Sequence, residues 1–303
     1  MASSLRELRQ RRNSVAATMK ITKAMELIAA SRVMKAQARA RRAVPYNEEL
    51  ITAVSSVAAH TTQRHPLTVE ADNPRRAALL VCNSDRGLAG GFPTNIMRVS
   101  DGLISRLEAE GKEVDIYTVG RKALDYFTFR GRAVQQSWTG FSENPNYQQS
   151  KEIANALMAA FFEDTDLGGV DELHLVFTRF KSMVSQTVQI VRLLPLEIVE
   201  SEEEEIVTGY LPDSFKFEPD ADTVLDALLP MYIINRVNFA LMESAASELA
   251  SRQQAMHSAT ENAQELIQNL TRDANQARQA EITQEINEIV GGAGALTEQG
   301  QEL

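Results

Sequence analysis

The sequence predicts an α/β chain: a long antiparallel coiled coil of N- and C-terminal helices plus a Rossmann-like, mostly parallel sheet domain. Three observations carry this. Glycine and proline are absent from Met1 to Val44 and again over sixty residues from Met231 to Val290. A helix interior penalises Gly by about 1 kcal/mol and Pro by about 3 kcal/mol, so such gaps mark long helices. Between them, apolar runs alternate with amphipathic stretches in β-α-β order, as in a parallel sheet covered by helices. The two ends are also opposite in charge: residues 1–42 hold eleven Arg or Lys against two Glu, whereas the C-terminal stretch is acidic.

Leu5, Leu8, Val15, Met19, Ile21, Met25, Ile28 and Val33 supply the apolar face of the first helix. Pro45 is expected to bend or interrupt it before Glu48–His60 continues it. Strands are predicted at 77–82, 114–119, 133–138, 172–180 and 186–194, and helices at 93–109, 121–130 and 147–163. Residues 163–169 leave room for only a short loop. The last two strands have no helix between them and should form an antiparallel edge hairpin.

Residues 200–226 carry ten acidic side chains and one lysine and read as an exposed connection. The final helix repeats apolar residues in steps of three and four, from Ile233, Val237 and Leu241 to Leu270, Ala274 and Ala277. Glu243, Glu248 and Gln253 are among the polar residues that fall between them, so one narrow stripe is expected. Sixty helical residues span roughly 90 Å. The expected organisation is an N-terminal coiled-coil helix (1–62), an α/β domain (75–200), an acidic connection (201–221) and a C-terminal coiled-coil helix with its tail (222–303). Exposed ion pairs contribute only about 0.3–0.5 kcal/mol each, so charge orients the helix pair and the apolar seam stabilises it.

The formal charge of −10 argues against a general nucleic-acid binder, which needs cations to displace phosphate counterions. A single cysteine, Cys82, excludes an internal disulfide and reads as a buried small hydrophobe. No run of 18 apolar residues is present and the N-terminus lacks an apolar signal core, so a soluble chain is expected, though one that could sit against a membrane complex.

Residues 84–92, SDRGLAGGF, follow the first predicted strand, where α/β proteins often hold phosphate. A P-loop needs G-x-x-x-x-G-K-[ST], but Phe92 stands five residues after Gly87. Gly87, Gly90 and Gly91 are also mis-spaced for G-x-G-x-x-G. His60, His65, His174 and His257 are scattered without zinc-ligand spacing, and no G-x-S-x-G elbow is present. The loop reads as a tight turn. The alternative readings are a nucleotide-binding or nucleic-acid-binding coiled-coil protein.

Three further blocks are distinctive: KITKAMELIAASRVMKAQ at 20–37, ASELASRQQAMHSATENAQELI at 246–267 and NQARQAEITQEINEIVGGAGAL at 275–296. Together with SDRGLAGGF, in this order, they resemble the gamma (central-stalk) subunit of bacterial F-type ATP synthases. The resemblance implies a non-catalytic rotor shaft for a proton-translocating ATP synthase, coupling c-ring rotation to ATP synthesis or hydrolysis at the beta subunits. It implies no cofactor and no metal. The partners it implies are three alpha and three beta subunits, the epsilon subunit and the c-subunit ring, with no nucleic acid. The place it implies is the cytoplasmic face of the bacterial cell membrane, with peripheral attachment through the complex.

The same resemblance implies contacts to the catalytic subunits at Lys20, Lys23, Met25, Arg252, Gln253, Arg278, Gln279, Thr283 and Glu285. It implies foot contacts to the c ring and epsilon at Phe215, Phe217, Glu218 and Asp220. A shaft in a close-fitting cavity is helped by small side chains such as Ala274, Ala277 and Ala280. The apolar, glycine-rich end IVGGAGAL suits a helix terminus seated in an apolar bearing.

Overall fold

A computed structural model describes residues 5–58, 65–196 and 217–299, with side chains described through Val290. In chain order the elements are α1 (Leu5–Ala58), β1 (Arg76–Cys82), α2 (Phe92–Ala109), β2 (Glu113–Val119), α3 (Arg121–Phe129) and β3 (Val134–Trp138). They continue with α4 (Tyr147–Phe162), a 3-10 turn (Thr165–Leu167), β4 (Glu172–Phe180), β5 (Gln186–Leu194) and α5 (Ala221–Gln299). The five predicted strands are all present, within one residue of their expected starts, and the short 163–169 connection holds the 3-10 turn.

The sheet runs β3-β2-β1-β4-β5. The first four strands are parallel, and β5 returns antiparallel to β4 from Phe180↔Gln186 to Leu173↔Leu194. β1 is central, and its side chains alternate between two cores as the pleat requires. Ala77, Leu79 and Val81 pack with Ile96, Leu103 and Ile104 of α2 and Phe127 of α3. Ala78, Leu80 and Cys82 face the opposite side, with Ile153 and Leu157 of α4, Val57 of α1 and Leu229, Ile233 and Val237 of α5.

Both long helices run through a proline, α1 against the expected bend at Pro45 and α5 from within one residue of its expected start at 222. α1 continues through Pro45 without interruption, and α5 begins ten residues before Met231 and runs through Pro230. Each proline costs about 3 kcal/mol in a helix interior. Continuing past Pro45 buries Leu50 and Val57, and starting before Pro230 buries Leu225 and Leu229. Each such burial returns about 1.5–3 kcal/mol, which offsets the missing hydrogen bond. The helix also extends through Gly291, Gly292 and Gly294, giving α5 79 residues.

The chain divides into two compact units, one of residues 29–254 and one of residues 1–28 with 255–303. In the first, α1 lies antiparallel to α5: Val33 and Ala36 pack on Ala246, Leu249 and Ala250, and Asn235 donates to Asn47 at 2.7 Å. Here α5 is buried nearly all round, because the sheet and α1 cover different sides of it. Ser244, Ser247 and Glu248 are therefore interior, which corrects the single narrow stripe read from the sequence. One 18-residue window of α5 reaches a mean hydropathy of 1.3, half of it buried inside the chain. Leu229, Ile233, Val237 and Leu241 of this helix belong to the main core, so its hydropathy serves packing.

In the second unit the two helices again run antiparallel, with Thr22 and Thr260 hydroxyls meeting at 2.9 Å and Glu26 beside His257. Met256, Ala263 and Leu270 are buried at seven-residue intervals. That heptad spacing, 3.5 residues per turn, favours a left-handed supercoil.

Candidate functional site

In a sheet of this kind ligands bind at the carboxyl ends of the strands, at the point where strand order reverses. Here that point lies between β1 and β4, beside the 83–91 loop. It is filled by α5. Thr178 N donates to Ser244 Oγ at 3.1 Å, and Ser247 Oγ donates back to Thr178 O at 3.1 Å. Phe180 N donates to Glu243 Oε2 at 2.9 Å. Ser251 Oγ donates to Ala89 O at 2.7 Å, and Arg252 Nη2 reaches the carbonyls of Arg86 and Gly87 at 3.3 Å each. A phosphate site needs converging N–H donors, whereas this loop turns carbonyls toward its neighbour. The space left, about 80 Å³ between Gly91, Asn95, Thr178, Gln186 and Ser251, is well below the roughly 300–1,000 Å³ of ligand pockets.

Asp85 fastens the other end of the loop. Its carboxylate accepts from Arg121 N at 3.1 Å and Ser142 N at 2.9 Å. Burial alone would raise this carboxyl, but backbone donors from Gly140, Ser142 and Arg121 outweigh it and hold it below the usual range. Gly120, at φ +94°, packs so closely that an added Cβ would meet Asn83 O at 2.2 Å. The loop is thus wedged between α5, the β3–α4 connection and the start of α3.

Arg252 sits at the centre of this closure, 6% exposed. Nη2 holds Glu248 Oε1 at 2.7 Å and Nη1 holds Glu143 Oε1 at 3.0 Å. Arg32 of α1 pairs with the other oxygen of Glu143. Burial pushes the Glu248 carboxyl up to about 7, against the opposing pull of Arg252. Both carboxylates compete for one buried guanidinium, which therefore ties α5 to the β3–α4 connection.

Among the described residues of the unit 1–28 and 255–303, α5 outruns its partner. Thr22 faces Thr260, so Leu5, seventeen residues before Thr22, comes level with about residue 277 of α5. From Arg278 to Val290 every described side chain is exposed. Ile282, Ile286, Ile289 and Val290 form an uncovered apolar strip at helical spacing.

A family model described as ATP synthase matches residues 4–296. Curated relatives named ATP synthase gamma chain match along essentially the whole sequence. That of Cutibacterium acnes is 53% identical over 310 residues, covering 98% of each chain. That of Acidothermus cellulolyticus is 53% identical and covers 100% of each. The chain belongs to the ATP synthase gamma-chain family. Members of this family are central-stalk subunits, and solved rotors share the fold. A chain of the Euglena gracilis mitochondrial ATP synthase gives a TM-score of 0.67 at 17% identity, covering 99% of this chain and 96% of its own. A chain of the Tetrahymena thermophila central stalk and c-ring gives 0.54 at 24% identity, covering 79% and 99%.

The gamma-chain residues expected to meet partners fall into both units. Lys20 and Lys23 are exposed, Lys23 bonding Glu26 at 3.2 Å, and Met25 is half-buried in the helix pair. Arg278, Gln279, Thr283 and Glu285 lie on the exposed end of α5, where Thr283 Oγ1 donates to Gln279 O at 2.9 Å. In the other unit Arg252 is engaged inside the chain, and neighbouring Gln253 is half-buried, with a buried Oε1 that has no partner among the described residues. Phe217 packs against the main core, and Glu218 is exposed. Asp220 caps α5, accepting Thr223 N at 2.9 Å and Thr223 Oγ1 at 3.0 Å. Those two bonds hold its carboxyl below the usual range. Phe215 lies outside the described residues.

Sequence reasoning missed Ser244, Ser247, Ser251 and Glu143. The serines carried a signal: spaced three and four apart in SAASELAS, they share one helical face. Glu143 carried none, since its partners are 109 and 111 residues away in sequence.

Proposed function

We propose that this chain is the non-catalytic rotor shaft of a proton-translocating ATP synthase. Turning with the c-subunit ring, it drives the beta subunits through their catalytic states in sequence, and ATP hydrolysis turns it in reverse. Its partners are three alpha and three beta subunits, the epsilon subunit and the c ring, and it lies peripherally at the cytoplasmic face of the bacterial membrane. The observation that carries this reading is the occupied crevice. The one place where this sheet could hold a nucleotide is filled by the chain's own α5, so nucleotide chemistry belongs to partners. The unpaired end of α5, with its apolar strip, supports a seat within a surrounding assembly.

The contact set follows from the same reading. Lys20, Lys23 and Met25 on α1, with Arg278, Gln279, Thr283 and Glu285 on α5, face the catalytic subunits. Gln253, half-buried on α5, belongs to the same set, whereas Arg252 acts through the internal network it organises. Phe215, Phe217, Glu218 and Asp220 belong to the foot, near the c ring and epsilon; Glu218 and Asp220 are both exposed charges, and Asp220 is engaged in its cap.

Reconstitution with alpha and beta subunits tests the proposal. ATPase activity should depend on this chain, a probe fixed to it should rotate stepwise, and the isolated chain should neither bind nor hydrolyse ATP. Turnover by the chain alone would overturn the reading. A nucleic-acid reading would rest on the basic cleft of about 630 Å³ lined by Arg32, Lys35, Arg39 and Arg42. It requires affinity that falls steeply with salt and tracks those residues.

A further inference from the structure

In the unit of residues 1–28 and 255–303, His257 of α5 stands between two carboxylates. Its Nδ1 lies 3.2 Å from Glu26 Oε1 on α1, and its Nε2 lies 3.4 Å from Glu261 Oε1, one turn further along α5. Glu26 is buried in the pair and also receives Lys23 Nζ, 3.2 Å from each of its oxygens. One step along the seam the hydroxyls of Thr22 and Thr260 meet. This is a polar crossing in an otherwise apolar seam, and imidazole chemistry controls it.

A neutral imidazole has one N–H and one lone pair. It can donate to Glu26 or to Glu261, and it then turns its lone pair toward the other carboxylate. Only the imidazolium donates to both, and it does so as a cation between two anions. We propose that His257 is a proton-operated clasp on the helix pair. Protonated, it ties Glu26 of α1 to Glu261 of α5; neutral, it must release one of them.

The charged groups facing the ring are Lys23 and Glu26 from α1 and Glu261 from α5. Lys23 lies on α1 with Glu26, so its bond does not substitute for the cross-helix one. Imidazole changes charge between about pH 5 and 8. Burial would raise Glu26, but hydrogen bonds from Lys23 and His257 outweigh it and keep the carboxyl below its ordinary range. Glu26 therefore remains an anion across that range. At low pH the ring holds both carboxylates as a cation, and at high pH it keeps at most one as a neutral donor. The tie to Glu26 thus weakens as pH rises, and the stiffness of this part of the helix pair depends on proton concentration.

Amide hydrogen exchange on the full-length chain tests this, reading peptides across 18–26 and 257–264 and correcting for intrinsic exchange. Protection in both segments should be about two- to fivefold higher near pH 5.5 than near pH 8, the scale of one or two exposed charged bonds. His257→Gln should stay at the high-pH level throughout, and His257→Lys at the low-pH level. Glu261→Gln should shrink the swing. Protection that does not change with pH in the wild type, or a swing that survives in His257→Gln, overturns the proposal.

Discussion

Arg252 and Glu248 lie one helical turn apart on α5, joined at 2.7 Å, with the guanidinium and carboxylate both withdrawn from solvent. Arg252 also holds Glu143, so its loss would leave buried Glu248 without a counter-charge and Glu143 with Arg32 alone. Arg252→Leu should destabilise the chain by about 3–5 kcal/mol, read from urea unfolding midpoints. Glu248→Gln should cost less, because its amide oxygen still accepts from Arg252 and Glu143 still supplies a charge. Equal losses from the two variants would remove Arg252 from the centre of the network.

Glu248 also predicts a pH dependence. Its folded-state carboxyl is pushed up to about 7 by burial, so the folded chain binds this proton more tightly than the unfolded one. Stability therefore falls as pH rises through the carboxylate range toward 7 and levels off above it. Stability of Glu248→Gln relative to the wild type should increase between about pH 5 and pH 7.5 and then stay constant. A difference that is flat with pH would mean that Glu248 titrates like an exposed carboxylate.

Gly120 is a backbone constraint. At φ +94°, with Asn83 O 2.2 Å from a would-be Cβ, Gly120→Ala must strain the turn and push the 83–91 loop away. A loss of at least about 2 kcal/mol is expected. Gly131→Ala is the control: its φ is +72° but no atom lies within 4 Å of the added Cβ. It should cost less.

Cys82 should be inert. Burial raises its thiol to about 12, and thiolate is the reactive form. A thiol reagent at pH 8 should label the folded chain only at the rate of opening, and label it rapidly in denaturant. Fast labelling of the native chain would mean that the core around β1 is not closed.

Met25→Lys tests the proposed contact on α1. Met25 is only half-buried, so the helix pair should tolerate a flexible cation there. The expected defect is in the complex: fewer protons moved per ATP in membrane vesicles, with assembly retained. Unchanged proton pumping per ATP would sink this contact.

Much of the fold was legible in the sequence because local signals agreed with the tertiary outcome. β1 is apolar on both faces, so AALLVC reads as a central strand, and the two gaps in glycine and proline mark α1 and α5. Errors arose where packing overrode local rules. Pro45 reads as a bend or break in the first helix, but burial of Leu50 and Val57 carries α1 past it. Glu243 and Glu248 read as solvated because charge in a helix usually means exposure; here Glu243 takes the Phe180 N–H, which only the fold supplies, and Glu248 is buried with Arg252, one turn away on the same helix. SDRGLAGGF failed both phosphate-loop spacings on sequence grounds alone. What occupies the crevice beside it could not be read, because the answer lies about 160 residues away in Ser251 and Arg252.

The helix that occupies the crevice is covalently part of the chain, and this makes the site a matter of competition rather than of shape. A tethered occupant on even a short flexible linker acts at millimolar effective concentration, and α5 is held in place by a core as well. ATP at a similar cellular concentration would have to displace the hydrogen bonds to Thr178, Phe180, Ala89, Arg86 and Gly87 together. The chain thus closes this crevice from within, with no separate partner needed to keep α5 there.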